Sequence, residues 1–371
     1  MDTNNTNEAY AVITHLIDWS QAFDRQCQKL GINSFIENGV RKSLIPVLIN
    51  YFQDSQMKVK WHEHFSSVRS MPGSGPQGCH LGQLEYSSQS NNSGQCVSSD
   101  KRYKFVDDMT LLEIINLITC GLSTYNFKNH VASDIAIWDH YLPSENCKSQ
   151  NYLDSVQQWT DDKKMKLIKK KSKVIVFNYT KNYQFGTRLY LEDSVLDIVQ
   201  ETKLLGTVIT SDLTWWQNTN YITQKGYKRL ELLRKLYEFD IEIPDLVHIY
   251  TLYVRSTLEF NCSVWHHSIN QGQIDDIERI QKIACRIILK DSYYSYENAL
   301  KTLNLQNLSD RRDMLSLSFA KNCLKYDKIK DMFPVDNDRN VDKYKVHFAS
   351  TGRLLNSAIP QMQRQLNSND D

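Results

Sequence analysis

Ala11–Ile17 (AVITHLI) is a short, mostly apolar run that ends at an aspartate, the pattern of a buried strand. Between positions 34 and 52, Phe35, Val40, Leu44, Val47, Leu48 and Tyr51 mostly return at helical spacings, so a helix is predicted there. Gly73–Gly82 is rich in glycine, and Tyr86–Lys104 is polar and rich in serine and asparagine, which predicts a long loop. A second apolar strand leads into Asp107, and Leu111–Ile118 continues away from it. Further strand candidates are Lys173–Phe177, Thr187–Leu191 and Leu204–Ile209. From about Gly226 the period becomes helical: Leu230, Leu233 and Tyr237 share one face, Leu246, Ile249, Tyr250 and Tyr253 another, and Ile277, Ile280, Ala284 and Ile287 a third. The expected architecture is α+β. An antiparallel sheet with packed helices occupies 1–215, an all-helical region 216–334, and a polar, weakly ordered tail 335–371.

Composition changes this picture little. The chain has 371 residues, 41% hydrophobic and 23% charged, with 20 Tyr and 7 Trp, which suits a folded protein rather than a disordered one. A net charge of +1 means that any nucleic-acid surface must come from local clustering. No apolar stretch reaches the length of a membrane span, and Met1–Glu8 fits neither a signal nor a transit peptide. Eight cysteines without a CxxC pair indicate neither a disulfide framework nor a zinc ribbon. An intracellular protein of the nucleus or cytoplasm, not secreted and without a membrane partner, is expected.

Two segments carry the candidate chemistry. Asp18 ends the strand in LIDWSQAFD, and Asp107 and Asp108 interrupt an apolar run in KFVDDMTLL. Adjacent carboxylates in apolar surroundings repel each other and pay for desolvation unless cations compensate. Hard oxygen donors of this kind suit Mg²⁺ or Mn²⁺. A lone Asp-Asp is more often a solvated turn, but here a strand-terminal Asp18 precedes it, a glycine-rich segment intervenes and a basic segment follows. In that basic segment seven of the eleven residues from 163 to 173 are lysines. GSGPQG lacks the GK[ST] ending of a phosphate loop. Cys262, His266 and His267 have no second ligand pair at metal-site spacing, and packing explains them better. An Asp-nucleophile phosphatase wants a second aspartate two residues after the first, where this chain has Ser20.

Taken in order, these segments resemble the reverse-transcriptase domain of non-LTR (LINE-type, Jockey-like) retrotransposons. LIDWSQAFD resembles motif A, PGSGPQGCHLGQL (72–84) motif B, KFVDD motif C, WTDDKKMKLIKKKSKVIVFN (159–178) motif D and TKLLGTVITSDLTW (202–215) motif E. The resemblance covers roughly residues 10–330 and departs at Cys79, where serine is usual, and at Ile168, where asparagine is usual.

The resemblance implies a polymerase palm followed by a helical thumb and C-terminal region. It implies RNA-directed DNA polymerisation, with RNA template, DNA primer and dNTP as partners. Asp18, Asp107 and Asp108 fall where the family binds two Mg²⁺ ions, with Mn²⁺ as the alternative. Phe23 falls at the aromatic that excludes a 2′-hydroxyl. Pro76, Gln77 and Gly78 fall at the segment lying against nucleotide and template, and Lys171 at the motif D lysine beside the triphosphate. Because 17 residues precede Asp18, the fingers and the upstream endonuclease are expected to be missing. The alternative expectation is therefore a truncated, catalytically inactive relic that only binds nucleic acid.

Overall fold

The computed structural model describes residues 10–71, 73, 79–116, 148–178, 188–335, 344–347 and 351–368. They fall into two compact units divided between Gln200 and Glu201. The sequence pattern places that division at 215. The fold is α+β, with a largely antiparallel sheet and packed helices followed by a helical region.

In the first unit β1 (Tyr10–Ile17) is followed by α1 (Gln28–Glu37), α2 (Ile45–Phe52) and four two-residue strands, β2 (Gln56–Met57), β3 (Lys60–Trp61), β4 (His64–Phe65) and β5 (Arg69–Ser70). Then come α3 (His80–Ser90), β6 (Arg102–Phe105), β7 (Asp108–Asn116), α4 (Ser149–Asp162), β8 (Lys173–Asn178), β9 (Tyr190–Leu191), β10 (Ser194–Val195) and β11 (Asp197–Val199). The main sheet has the order β11-β8-β1-β7-β6. Only the β11–β8 pairing is parallel.

β1 lies in the middle, which explains its apolar run: Ala11, Ile13 and Ile17 are buried opposite Ile115, Glu113 and Met109 of β7. The buried His15 and Glu113 on this face have a structural task. Glu113 Oε1 accepts from the Lys148 N–H at 2.6 Å, and Ser149 Oγ bonds both Glu113 and His15 Nε2. Together they fix the start of α4, whose Leu153 and Val156 fill the core beneath the sheet. A carboxylate at a helix N-terminus is electrostatically favoured. Burial pushes the His15 imidazole down to about 4, so this ring is neutral.

The predicted helix over 34–52 is two helices. Gly39 takes a φ of +78° after α1, and Pro46 sits in the first turn of α2. The predicted loop over 86–104 is corrected in part. Tyr86–Ser90 is the second half of α3, and β6 begins at Arg102. The buried face of α3 is made of Gly82, Glu85, Tyr86 and Gln89, so it leaves no apolar period to read.

The second unit opens with a tight hairpin, β12 (Glu201–Leu204) and β13 (Thr207–Thr210), where one strand over Leu204–Ile209 is predicted. Leu205 and Gly206 both have positive φ, as a two-residue hairpin loop requires. The long α5 (Trp216–Tyr237) packs on α9 (Gln271–Leu289) through Gly226, where a Cβ would lie 2.8 Å from Ile280 Cδ1. Shorter helices α6 (Ile243–Ile249), α7 (Ser256–Glu259), α8 (Cys262–Trp265) and α10 (Tyr296–Thr302), with α11 (Leu308–Cys323), complete the core around Trp265 and Tyr250. Within the polar tail, Ala358–Ser368 is a helix that buries Met362 and Leu366 beside Ala320 and Cys323 of α11. Among the described residues no helix is long and apolar enough to cross a membrane.

Candidate functional site

Register brings the carboxylates together. Ile17 of β1 stands opposite Met109 of β7 in an antiparallel ladder, so the next step of that ladder sets Asp18 beside Asp108. The β6–β7 hairpin pairs Phe105 with Asp108, leaving Val106 and Asp107 as its two loop residues. Val106 has a φ of 57°, a strained conformation for a β-branched residue that costs ~1–2 kcal/mol. The hairpin is anchored behind the loop. Lys104 Nζ donates to the Ser90 and Asn91 carbonyls at 2.6 and 3.0 Å, and Arg102 Nη1 to that of Ser93 at 3.2 Å. These bonds tie it to the C-terminal end of α3. Burial, helped by Arg102, pushes the Lys104 ammonium down to about 8.

Asp18 is gripped by the segment after α4. Its carbonyl accepts from the Ile168 N–H at 2.9 Å, the Ser20 N–H donates to the Lys166 carbonyl at 2.7 Å, and Trp19 bridges Leu167. Buried Met165 and Leu167 staple this segment down, while Lys164, Lys166, Lys170 and Lys171 stay exposed. Lys171 Nζ lies 3.3 Å from Asp18 Oδ2.

The electrostatics are those of crowded anions. Burial raises the Asp108 carboxyl, the charges of Asp107 and Asp18 raise it further, and Lys171 opposes them. The buried Tyr86 hydroxyl is also raised, first by burial and then by Asp107, Asp108 and Asp18. Tyr86 thus lies within electrostatic reach of all three carboxylates, and its ring stacks on Phe23 with centroids 4.8 Å apart and planes 30° from parallel.

The structure thus gathers Asp18, Asp107, Asp108 and Lys171, with Phe23 joined to them through Tyr86. Pro76, Gln77 and Gly78 lie outside the described residues. Sequence reasoning missed Tyr86 and Lys104. The one available signal for Tyr86 was an aromatic four positions after Gly82 in an otherwise polar stretch. Cys79, where the resemblance expects serine, caps α3 by accepting from the Gly82 N–H at 3.3 Å. Beside the site, Glu85 is fully buried, neither of its oxygens has a hydrogen-bond partner among the described residues, and burial pushes its carboxyl up to about 7.

Three mutually repelling carboxylates are the donor chemistry that a hard divalent cation takes, although as the side chains stand they do not form a group with all ligand atoms within 4.8 Å of one another. The cluster of His266, His267 and Asp313 does not fit a metal as well, although their ligand atoms lie within 4.8 Å of one another. Arg312 Nε donates to His266 Nδ1 at 3.0 Å, which leaves the ring proton on Nε2, facing Asp313 Oδ1 at 3.4 Å. A metal would have to displace the Nε2 proton or take the Nδ1 lone pair from the buried Arg312 guanidinium. Asp313, distant in sequence, is the member that the chain pattern did not reveal.

No protein-family model matches the chain. A curated sequence does: the "Probable RNA-directed DNA polymerase from transposon BS" of Drosophila melanogaster is 25% identical over 310 residues, 80% of this chain. The chain resembles a transposon reverse transcriptase. It spans 31% of the length of that relative. Among solved structures, telomerase from Candida albicans in complex with a TWJ fragment of telomeric RNA matches 89% of this chain and 51% of its own, at 12% identity and a TM-score of 0.32.

Proposed function

We propose that the chain is the palm, thumb and C-terminal part of an RNA-directed DNA polymerase of a retrotransposon, extending a DNA primer on an RNA template. The observation that carries this reading is the meeting of Asp18 with Asp108 across the β1–β7 register, beside the Asp107 loop. The transposon relative supports the same reading. Residues 1–215 would form the palm, 216–334 the thumb and C-terminal region, and 335–371 a tail.

In the reaction the primer 3′-oxygen attacks the α-phosphorus of a dNTP and pyrophosphate leaves. Asp18, Asp107 and Asp108 would hold two Mg²⁺ ions, which would lower the pKa of the attacking hydroxyl and stabilise the leaving oxygen. Phe23, braced by Tyr86, would press on the sugar where a 2′-hydroxyl would stand. Pro76–Gly78 would approach nucleotide and template closely through the backbone. Lys171, paired with Asp18 without nucleotide, would turn to the triphosphate when one binds. Thumb lysines and backbone would hold the duplex by shape.

A second reading, a catalytically silent relic that still binds nucleic acid, is favoured by the buried Glu85, Gln26 and Gln89 side chains, which have no hydrogen-bond partner among the described residues. Each such group costs ~1–3 kcal/mol, a burden expected of a sequence drifting without selection. Primer extension on poly(rA)/oligo(dT) with dTTP and Mg²⁺ or Mn²⁺ separates the two. Extension lost in Asp107→Asn supports the polymerase; a folded chain that binds the primed template without extending it supports the relic.

A further inference from the structure

The arm formed by β2 to β5 is unlike the rest of its unit. Every residue from Gln56 to Ser70 is exposed. It is nevertheless paired along its length, in two short ladders offset by one residue: Met57 pairs with Arg69, Lys60 with Phe65 and Trp61 with His64, and between the ladders the Ser66 N–H donates to the Val59 carbonyl while the Val59 N–H donates to Ser66 Oγ. Trp61 is 73% exposed and Phe65 55%, with Val59 and Val68 each at 58%. A two-stranded ribbon is marginal by itself, and a run of large apolar side chains held in water marks a surface that binds something.

Its charges say what. The arm carries Lys58, Lys60 and Arg69 against the single Glu63, in a chain whose total is only +1. Among the described residues none of these three cations has an ion-pair partner. Lys58 Nζ sits 4.4 Å over the Phe65 ring and Lys60 Nζ 5.6 Å from its centroid, so both lysines share the side of the Phe65 ring. Trp61 and His64, opposite each other, hold the other side. A second copy pairing edge to edge would bring like charges together, whereas a polyanion would not. Exposed aromatics interleaved with lysines suit a strand whose bases are unstacked, because a duplex keeps its base faces covered.

We propose that the arm Gln56–Ser70 is a binding site for single-stranded nucleic acid. Trp61 and Phe65 stack on unpaired bases, while Lys58, Lys60 and Arg69 neutralise the adjacent phosphates. The base of the arm lies near the turn that carries Phe23: three residues past Ser70, the Gly73 backbone lies against the carbonyl of Gln26, itself three residues past Phe23. Under the polymerase reading, on which only the strand's identity depends, the ligand is unpaired template.

The test uses the full chain, in EDTA and without nucleotide, so that a protein unable to extend a primer still answers. Labelled oligo(rU) and oligo(dT) of about 20 nucleotides and a blunt duplex of equal length are titrated by anisotropy, at several salt concentrations. Trp61→Ala/Phe65→Ala is expected to weaken single-strand binding about tenfold or more while leaving the duplex nearly unchanged, and Trp61→Phe/Phe65→Tyr to restore it. Lys58→Ala/Lys60→Ala/Arg69→Ala is expected to lower the salt slope by about 2. Loss on oligo(rU) alone assigns the site to RNA, and loss on both oligonucleotides to either strand. Unchanged single-strand affinity, equal loss on the duplex, or a wild-type dimer in sedimentation that Trp61→Ala/Phe65→Ala dissolves would each overturn the proposal. Circular dichroism of each variant checks its folding, and the conservative pair keeps the test alive if the alanine pair fails to fold.

Discussion

The rings of Phe23 and Tyr86 stack 4.8 Å apart, joining the turn after the first aspartate to the helix whose tyrosine feels all three carboxylates. Phe23 alone, on a turn, would be a movable gate. Stacked on a buried tyrosine it is held in place, and such a pair contributes ~0.5–1.5 kcal/mol beyond its buried area.

Phe23→Ala should therefore relax discrimination between dNTP and rNTP in primer extension. Tyr86→Ala should do the same without touching the sugar itself, at a stability cost of roughly 3–5 kcal/mol. Tyr86→Phe should keep the discrimination, because the ring remains. Selectivity intact in a folded Tyr86→Ala protein would mean that the stack does not position Phe23.

Lys171→Met should change the denaturation midpoint little, since the ion pair with Asp18 is exposed on the lysine side and such pairs contribute ~1 kcal/mol or less. Without nucleotide, Mn²⁺ binding should tighten roughly fivefold, because a competing cation has left the carboxylates. Primer extension should nonetheless slow. Calorimetric titration with Mn²⁺ and a single-turnover rate distinguish these effects, and weaker metal binding would contradict the assigned geometry.

Glu85 makes the first unit sensitive to pH. Its folded carboxyl titrates at about 7 against an ordinary value of 4.5, so the folded state holds the proton more tightly than the unfolded chain. The penalty is absent below about pH 4.5, grows between the two values and is complete above about 7. Glu85→Gln should thus stabilise the protein at pH 8 by on the order of 2 kcal/mol, with solvent screening discounted, and by almost nothing at pH 4.5. Urea midpoints of both proteins across that range test this; parallel curves would show that Glu85 is not desolvated.

Gly31→Ala should destabilise the contact between α1 and α3 by ~1–3 kcal/mol, since its Cβ would lie 2.3 Å from Glu85 Oε1 and 2.7 Å from Cγ. Combining it with Glu85→Ala should recover most of that loss. A double-mutant cycle measures the coupling, and additive effects would refute the close approach.

By itself the sequence determined the main strands and the helical second half, because their periods are apolar and local: β1, β8, α5 and α9 fall where the pattern puts them. It also determined which carboxylates to suspect, since charge inside an apolar run is costly wherever the chain goes. Tertiary structure alone decided the rest. α3 was unreadable because it buries Glu85 and Gln89 in place of an apolar stripe. The helix over 34–52 broke at Gly39 and Pro46, where backbone chemistry outweighed side-chain period. The neighbours of the site, Tyr86 against Phe23, Lys104 on the end of α3 and Lys171 on Asp18, come from strand register and helix docking. Contacts between residues far apart in the chain leave no trace in local spacing, because each is fixed only once the core has chosen which faces meet.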